Sequence, residues 1–208
     1  VMQAEDVKFS DNELKEVHGK IINILWNTFK FFDLYKQDYN GKTATQDSDN
    51  VLDKWILAKL NRLILETTDN LDKYDTVKAS RPIKDFASDF STWYVRRSRE
   101  RIKATEPTTV VGSANRQRLS VGESDKQFAL ATMRYVLNEL SKLIAPVMPF
   151  TAEAIYKGVG AGEKESVHME EWADASLNEK IKNQNEKLLE EMEEVRKIIS
   201  LGLEARAK

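Results

Sequence analysis

A run of cations between Trp93 and Lys103 is the part of this sequence best suited to chemistry. Its last eight residues include four arginines and one lysine: Arg96, Arg97, Arg99, Arg101 and Lys103. A guanidinium group binds phosphate oxygens through a bidentate fork of N–H donors. Helical spacing would bring Arg96, Arg99 and Lys103 to one face, with Arg97 and Arg101 on the neighbouring face. The run therefore predicts a surface that contacts a phosphate backbone.

The two aromatic residues that precede the cations have separate expected roles. Tyr94 would stack on an unpaired base if it were exposed, so it joins the predicted RNA-contacting set. Trp93 falls on the apolar stripe of the same segment and is expected in the core. The cations also have a purely structural interpretation. Positive charge complements the C-terminal end of a helix, and arginines pair with the many carboxylates of this chain. The basic run alone leaves both interpretations open.

Other chemistry is poorly represented in the sequence. The chain has no cysteine, which excludes disulfides, thiol catalysis and a thiolate zinc site. Its two histidines, His18 and His168, lie far apart without a partner at ligand spacing. The glycine-rich stretch 158–162 follows no strand, so it is interpreted as a turn and not as a phosphate loop. We therefore predict no catalytic residue and no metal site. Asn27, a polar residue within an apolar helix, is expected to hydrogen-bond in the core.

Composition limits the classes of partner. The chain of 208 residues carries 32 basic and 34 acidic residues, a formal net charge of −2. A dedicated nucleic-acid binder usually has a basic excess, so any RNA surface here must be local. No apolar stretch approaches the roughly 20 residues of a membrane span, and the N-terminal residues do not resemble a signal peptide. We therefore expect no membrane association and a cytoplasmic location.

The elements that would position the basic run are helical, because apolar residues recur at spacings of three and four. The pattern predicts an all-α protein, an antiparallel helical bundle with short to medium connections. Residues 1–175 are expected to form the bundle, and residues 176–208 a helix that packs on it or extends from it. The helices are predicted at about residues 10–35, 50–71, 76–103, 124–144, 150–157 and 176–206.

Local signals predict where these helices begin and end. Three capping boxes mark helix starts: Ser10 with Glu13, Ser124 with Gln127, and Ser176 with Glu179. Pro82 predicts either a kink in the third helix or a late start near Arg81. Residues 104–123 are predicted to form a loop, and residues 166–169 a short extended piece.

Several motifs follow one another in the order found in a known family. The segments that carry the likeness are Leu25–Phe32, Asp53–Asn61, Asp89–Arg99, Leu143–Glu153 and Gly202–Arg206. Together they resemble the helical anticodon-binding domain of the isoleucyl-, valyl- and leucyl-tRNA synthetases. The Trp-Tyr-Val-Arg-Arg-Ser-Arg stretch within the third segment is similar to the isoleucyl branch.

The resemblance implies a role in tRNA binding. The domain would hold the anticodon arm of an isoleucine tRNA, with the five cations and Tyr94 as the expected contacts. The family's two ATP-binding motifs are absent from the sequence. The chain is therefore expected to be part of a longer isoleucine–tRNA ligase and to be inactive alone, without a cofactor of its own. ATP and magnesium would serve the catalytic domain of the same parent chain, which is a second expected partner. Two alternatives stay open: the equivalent valyl domain, and a helical protein-interaction scaffold without RNA binding.

Overall fold

Amphipathic helices pack their apolar stripes together in the structure, a computed structural model. It describes residues 10–12, 15, 18–103, 115–173, 175 and 182–206, except for the side chains of 115–124 and 182–185. Within these residues the elements are helices and short helical turns, with no strand. The helices are α1 (Asn23–Tyr35), α2 (Val51–Asp72), α3 (Thr76–Asp89), α4 (Arg96–Lys103), α5 (Asn115–Ile144), α6 (Pro149–Val159) and α7 (Lys182–Arg206).

The predicted all-α bundle is confirmed. Helices α2 and α3 are antiparallel neighbours joined by residues 73–75, and α5 and α6 pack together in the same way. Their buried faces share one core. Its largest fully buried side chains include Phe32, Trp55, Phe90, Tyr94 and Met133. No described helix has the length and apolar character needed to cross a membrane.

Several helix boundaries agree with their sequence signals. Asn50 caps α2, because its side-chain oxygen accepts a hydrogen bond of 3.0 Å from the backbone N–H of Leu52. Helix α5 ends at Ile144, before the proline-bracketed turn. Helix α6 ends at Val159, and Gly160 follows in the left-handed conformation, with φ of 60°. The glycine-rich stretch 158–162 therefore contains the end of a helix, in agreement with its interpretation as a turn.

The segment around Pro82 differs from one prediction. Helix α3 begins at Thr76, where Asp75 accepts a hydrogen bond of 3.0 Å from the backbone N–H of Lys78. Pro82 lies inside this helix, so the predicted late start near Arg81 is wrong. The departure from regular α-helical geometry lies after Pro82. A π-helical turn, Phe90–Val95, joins α3 to α4 and makes Thr76–Lys103 one helical rod.

Helix α5 begins earlier than predicted. Residues from Asn115 onwards are helical, so Ser124 lies inside a helix and its predicted cap with Gln127 is wrong. Gln127 instead joins α5 to the polar loop after α1. Its side chain accepts a hydrogen bond of 2.8 Å from the backbone N–H of Asn40 and donates one of 2.8 Å to the carbonyl of Asp38.

Three smaller predictions also have outcomes. Residues Val167–Met169 form a 3₁₀ turn and not an extended piece. Asn27 is exposed, so its predicted core position is wrong. Glu13 and the box of Ser176 with Glu179 lie outside the described residues. The division of the chain at residue 175 stays a prediction.

Candidate nucleic-acid interface

Helix α4 separates its residues sharply between a buried and an exposed face. Ser98 and Ile102, four positions apart, are fully buried against the bundle. The exposed positions carry four of the five predicted cations. We call these four the basic strip: Arg96, Arg97, Arg99 and Lys103. Among the residues that the structure describes, none of the four pairs with a carboxylate, so their charges are available to an external anion.

Aromatic rings support two members of the basic strip. The guanidinium carbon of Arg97 lies 4.0 Å from the ring centroid of Trp93, and that of Arg99 lies 5.8 Å from the ring of Phe31. A guanidinium plane that rests on an aromatic face can still direct its N–H edge to solvent. The rings therefore restrict the side chains without consuming their hydrogen-bond donors.

The π-helical turn explains why the basic strip faces outward. The buried side chains of the rod follow one another at four-residue spacing from α3, through the turn, into α4: Phe86, Phe90, Tyr94, Ser98 and Ile102. A regular α-helix advances about 100° per residue, so each step of four drifts by about 40°, and four steps by about 160°. The π-helical turn accommodates one additional residue, which cancels most of that angular drift around the helix axis. All five side chains consequently stay buried.

Arg101 lies on the flank of the buried face and is used internally. Its Nε and Nη2 atoms donate to the two carboxylate oxygens of Asp125, each at 2.7 Å. Its Nη1 and Nη2 atoms donate to the carboxylate of Asp53 at 3.0 and 2.8 Å. Burial acts to lower the pKa of Arg101, but the hydrogen bonds to Asp53 and Asp125 outweigh it and raise that pKa. Arg101 therefore joins α4 to α2 and α5 through ion pairs, and its guanidinium donors are not available to a phosphate.

Asp53 is the centre of this buried polar cluster. Its side chain is inaccessible to solvent and accepts hydrogen bonds from Ser48 Oγ at 2.5 Å and from the Tyr94 hydroxyl at 2.7 Å, besides those from Arg101. A buried charge is stable only when it is paired and hydrogen-bonded in this way. Asp53 thereby fixes the end of the rod against α2 and the polar loop before it.

Tyr94 does not meet the condition under which it was expected to contact RNA. The residue is fully buried, and its hydroxyl donates to Asp53. Burial, followed by the negative charge of Asp53, raises the pKa of Tyr94 well above its usual range. Tyr94 and Arg101 are therefore removed from the predicted contact set as a correction.

The sequence also contains a signal for this buried cluster. Asp53 stands three and seven residues before Ile56 and Leu60, so it shares their buried face on α2. A carboxylate on an apolar helical face requires a cationic partner. Arg101 was the cation closest to the buried face of the basic run, next to Ile102. The pair was therefore open to prediction, although Asp125 was not.

Comparison with known proteins gives one family. Residues 53–208 match the model described as the anticodon-binding domain of tRNA ligase. The chain is 36% identical over 206 residues to an isoleucine–tRNA ligase of Clostridium novyi (strain NT), and 35% identical over 208 residues to that of Clostridium tetani (strain Massachusetts / E88). Each match covers 96% of this chain.

More distant bacteria give the same result. The isoleucine–tRNA ligase of Protochlamydia amoebophila (strain UWE25) is 34% identical over 204 residues, which is 97% of this chain. In all three comparisons the chain spans about 18% of the relative's length.

Proposed function

Because the chain belongs to the anticodon-binding domain family of tRNA ligases, we propose that it binds the anticodon arm of an isoleucine tRNA. The basic strip would contact the phosphate backbone of that arm. Phosphate contacts fix the position of an RNA, and contacts to unpaired bases give specificity. The names of the relatives support isoleucine as the amino acid of the parent enzyme.

The observation that carries this proposal is the exposure of the basic strip. Four cations project from one short helix and none of them pairs with a carboxylate among the described residues, in a chain whose net charge is −2. Internal ion pairs account for Arg101, and Lys103 lies in the last turn of α4, where positive charge complements the helix end. The structural interpretation leaves Arg96, Arg97 and Arg99 unexplained, and an RNA backbone supplies an explanation.

The chemistry of the parent enzyme belongs elsewhere under this proposal. The relatives are roughly five times longer than the matched region, as the share of 18% requires. We propose that a catalytic domain in the rest of such a chain joins isoleucine to the tRNA with ATP and magnesium. The domain described here would hold the distant arm, so that the acceptor end reaches that site.

A charge-reversal experiment tests the role of the strip. The double variant Arg96→Glu and Arg99→Glu should lower affinity for an isoleucine tRNA transcript about tenfold or more at moderate salt. The matched control is Arg81→Glu with Lys84→Glu. These exposed residues of α3 have the same spacing and give the same change in charge. Equal loss in both variants would indicate a nonspecific charge effect and would contradict the proposal.

A comparison of two tRNAs tests the specificity. The chain should bind the isoleucine transcript more tightly than the valine transcript at the same salt concentration. Equal affinities would restrict the proposal to tRNA binding in general. Preference for the valine transcript would favour the valyl interpretation of the same fold.

A further inference from the structure

A groove of about 550 Å³ lies between α2, the π-helical turn and α7. That volume is within the range of roughly 300–1,000 Å³ found for small-ligand sites. Two tryptophans, Trp55 and Trp93, line it together with apolar side chains of α7 such as Leu189 and Ile199. Trp55 is almost fully buried, while Trp93 is partly exposed. The groove therefore presents aromatic surface that solvent can reach.

An ion-pair cluster holds one side of the groove in place. Arg196 of α7 forms a bidentate pair with Asp89 of the rod, and the distance from Nη1 to Oδ2 is 2.9 Å. The guanidinium carbon of Arg196 lies 5.0 Å from the Trp93 ring and 5.8 Å from the Trp55 ring. Lys59 also pairs with Asp89. A planar cation is thus fixed beside two indole rings by a nearly buried carboxylate.

The rim of the groove is basic. Its lining includes Lys59, Arg62, Arg196 and Lys197 against a single acid, Glu193. Lys59 and Arg196 share the single carboxylate of Asp89. Arg62 and Lys197 are exposed, and within the described part of the chain neither pairs with a carboxylate. The rim therefore offers two cations to an anionic ligand in a groove that also contains the two indole rings.

Trp93 connects the groove to the basic strip. The Trp93 ring contacts Arg97 of the basic strip, and the same ring lines the groove. A strand whose phosphates contact the strip can therefore enter the groove without leaving the protein surface.

We propose that this groove binds an unpaired nucleotide of the RNA that the basic strip holds. The base would pack against the exposed part of Trp93 beside Arg196, and a phosphate would lie between Arg62 and Lys197. Base stacking on aromatic rings and guanidinium planes, combined with a basic rim, is how proteins bind single-stranded RNA. A purely apolar protein segment fits less well, because it would bury Arg62 and Lys197 without a carboxylate partner among the described residues. This inference rests on the proposed function, which supplies the RNA.

A short unpaired RNA distinguishes the groove from the strip. The probe is a single-stranded hexanucleotide, and tryptophan fluorescence reports binding. The rim variant Arg62→Glu with Lys197→Glu should lower hexanucleotide affinity about tenfold, and the control Arg81→Glu with Lys84→Glu should not. Trp93→Leu should also lower that affinity about tenfold and remove most of the quenching, because the aromatic contact with the base is lost. Circular dichroism checks the fold of each variant.

The outcomes separate the two proposals. Hexanucleotide binding that falls in the rim variant supports the groove. If the hexanucleotide does not bind, while tRNA binding falls in the strip variant but not in the rim variant, the groove is overturned and the proposed function stands. A third outcome is that the rim variant loses affinity for both the tRNA and the hexanucleotide, while the strip variant loses affinity for neither. In that case the role proposed for the basic strip is overturned and the groove proposal stands. Absence of binding to both RNAs overturns both proposals.

Discussion

A carboxylate on the apolar face of α2 determines which cations of α4 are free. Asp53 is fully buried and takes Arg101 out of the basic run, while the four neighbouring cations stay exposed. Five cations of similar type thus have two different roles, and the difference lies in their position around the helix. Phosphate affinity and fold stability therefore depend on different members of one short segment.

The Arg101→Met variant should lower the free energy of unfolding by roughly 3–5 kcal/mol, because it leaves Asp53 as an unpaired buried charge. Urea denaturation measures this value. Arg99→Met, which removes an exposed cation of the same helix, is the control and should change it by less than about 0.5 kcal/mol. Adding Asp53→Asn to Arg101→Met should restore part of the loss. Equal stability of the two single variants would contradict the role assigned to Arg101.

The Tyr94→Phe variant separates a structural tyrosine from an RNA-contacting one. Removing the hydroxyl leaves Asp53 without one donor, so we expect a loss of about 1–3 kcal/mol in unfolding free energy. Affinity for tRNA, measured per folded molecule, should stay within about twofold of the original because the ring is inaccessible. A selective loss of affinity in a stable variant would return Tyr94 to the contact set.

The sequence predicted individual residues unevenly, for a physical reason. The cations of the strip were predicted to be helical and exposed because charge and spacing are local properties. Tyr94 was predicted both on the apolar stripe of its helix and, if exposed, among the RNA contacts, because local spacing does not decide which of two adjacent aromatic residues faces the core. The spacing of four from Phe86 to Ile102 was the available sign of a wider turn.

At the scale of elements, α1 and α6 approach each other closely at a glycine. A Cβ atom on Gly158 would lie 2.2 Å from Cζ of Phe29, which is closer than atoms can pack. Gly158→Ala should therefore reduce the unfolding free energy by roughly 1–3 kcal/mol through overpacking. Thermal or urea unfolding would measure the loss.

Gly202 provides the matched control for that substitution. It lies in exposed helix α7, and no neighbouring atom lies within 4 Å of the position that a Cβ atom would take there. Gly202→Ala should raise stability by about 0.5–1 kcal/mol, because alanine favours the helix. The same sign of change at both glycines would contradict the packing described for α1 and α6.

Glu153 of α6 holds the following loop through its charge. It pairs with Lys157 at 2.9 Å and accepts hydrogen bonds from the Val167 backbone N–H and Ser166 Oγ, each at 2.9 Å. The bond to Lys157, then that to Val167, lower the pKa of Glu153 from 4.5 to about 2. A carboxyl with a lowered pKa stabilises the fold fully above its unfolded pKa, and that contribution is lost as pH falls towards the folded value.

The Glu153→Gln variant tests this pH dependence. The original chain should be more stable than the variant at about pH 6, and the difference should shrink between about pH 4.5 and pH 2. Urea unfolding of both proteins across that range measures it. A difference that stays constant throughout the range would contradict the pKa shift of Glu153.

Other elements show where prediction from sequence reached its limit. The start of α2 at its cap Asn50 and the proline-bracketed end of α5 followed local rules for caps and prolines. The start of α5 did not, because Gln127 satisfies the backbone of the loop at Asp38 and Asn40 in place of a helix start. That contact joins residues almost ninety positions apart. A local pattern carries no information about such a partner.

For the whole molecule, the net charge of −2 conceals a separation of charge. Helix α4 carries five cations and one acid, whereas the acidic residues of α7 are nearly balanced by its own lysines and arginines. Average charge therefore carries little information about where a local RNA-binding surface would lie. The family assignment also came from motifs spread along the chain and not from composition.

Salt dependence gives the test at this scale. If four cations displace counterions from the RNA, the logarithm of the binding constant should fall with the logarithm of salt concentration with a slope of about −3 to −4. Filter binding of the isoleucine transcript across a salt series would measure it. The Arg96→Glu and Arg99→Glu variant should have a slope shallower by about 1.5–2. An unchanged slope would mean that other cations carry the phosphate contacts.

The π-helical turn Phe90–Val95 also has a consequence for how related chains should be aligned. Since the turn accommodates one residue more than a regular α-helix, deleting a residue there would restore the ordinary winding and keep the faces on either side in register. A homologue with a one-residue gap at this turn would still present the same strip. A gap of one residue within α4 itself would instead turn the cations downstream of it by about 100°.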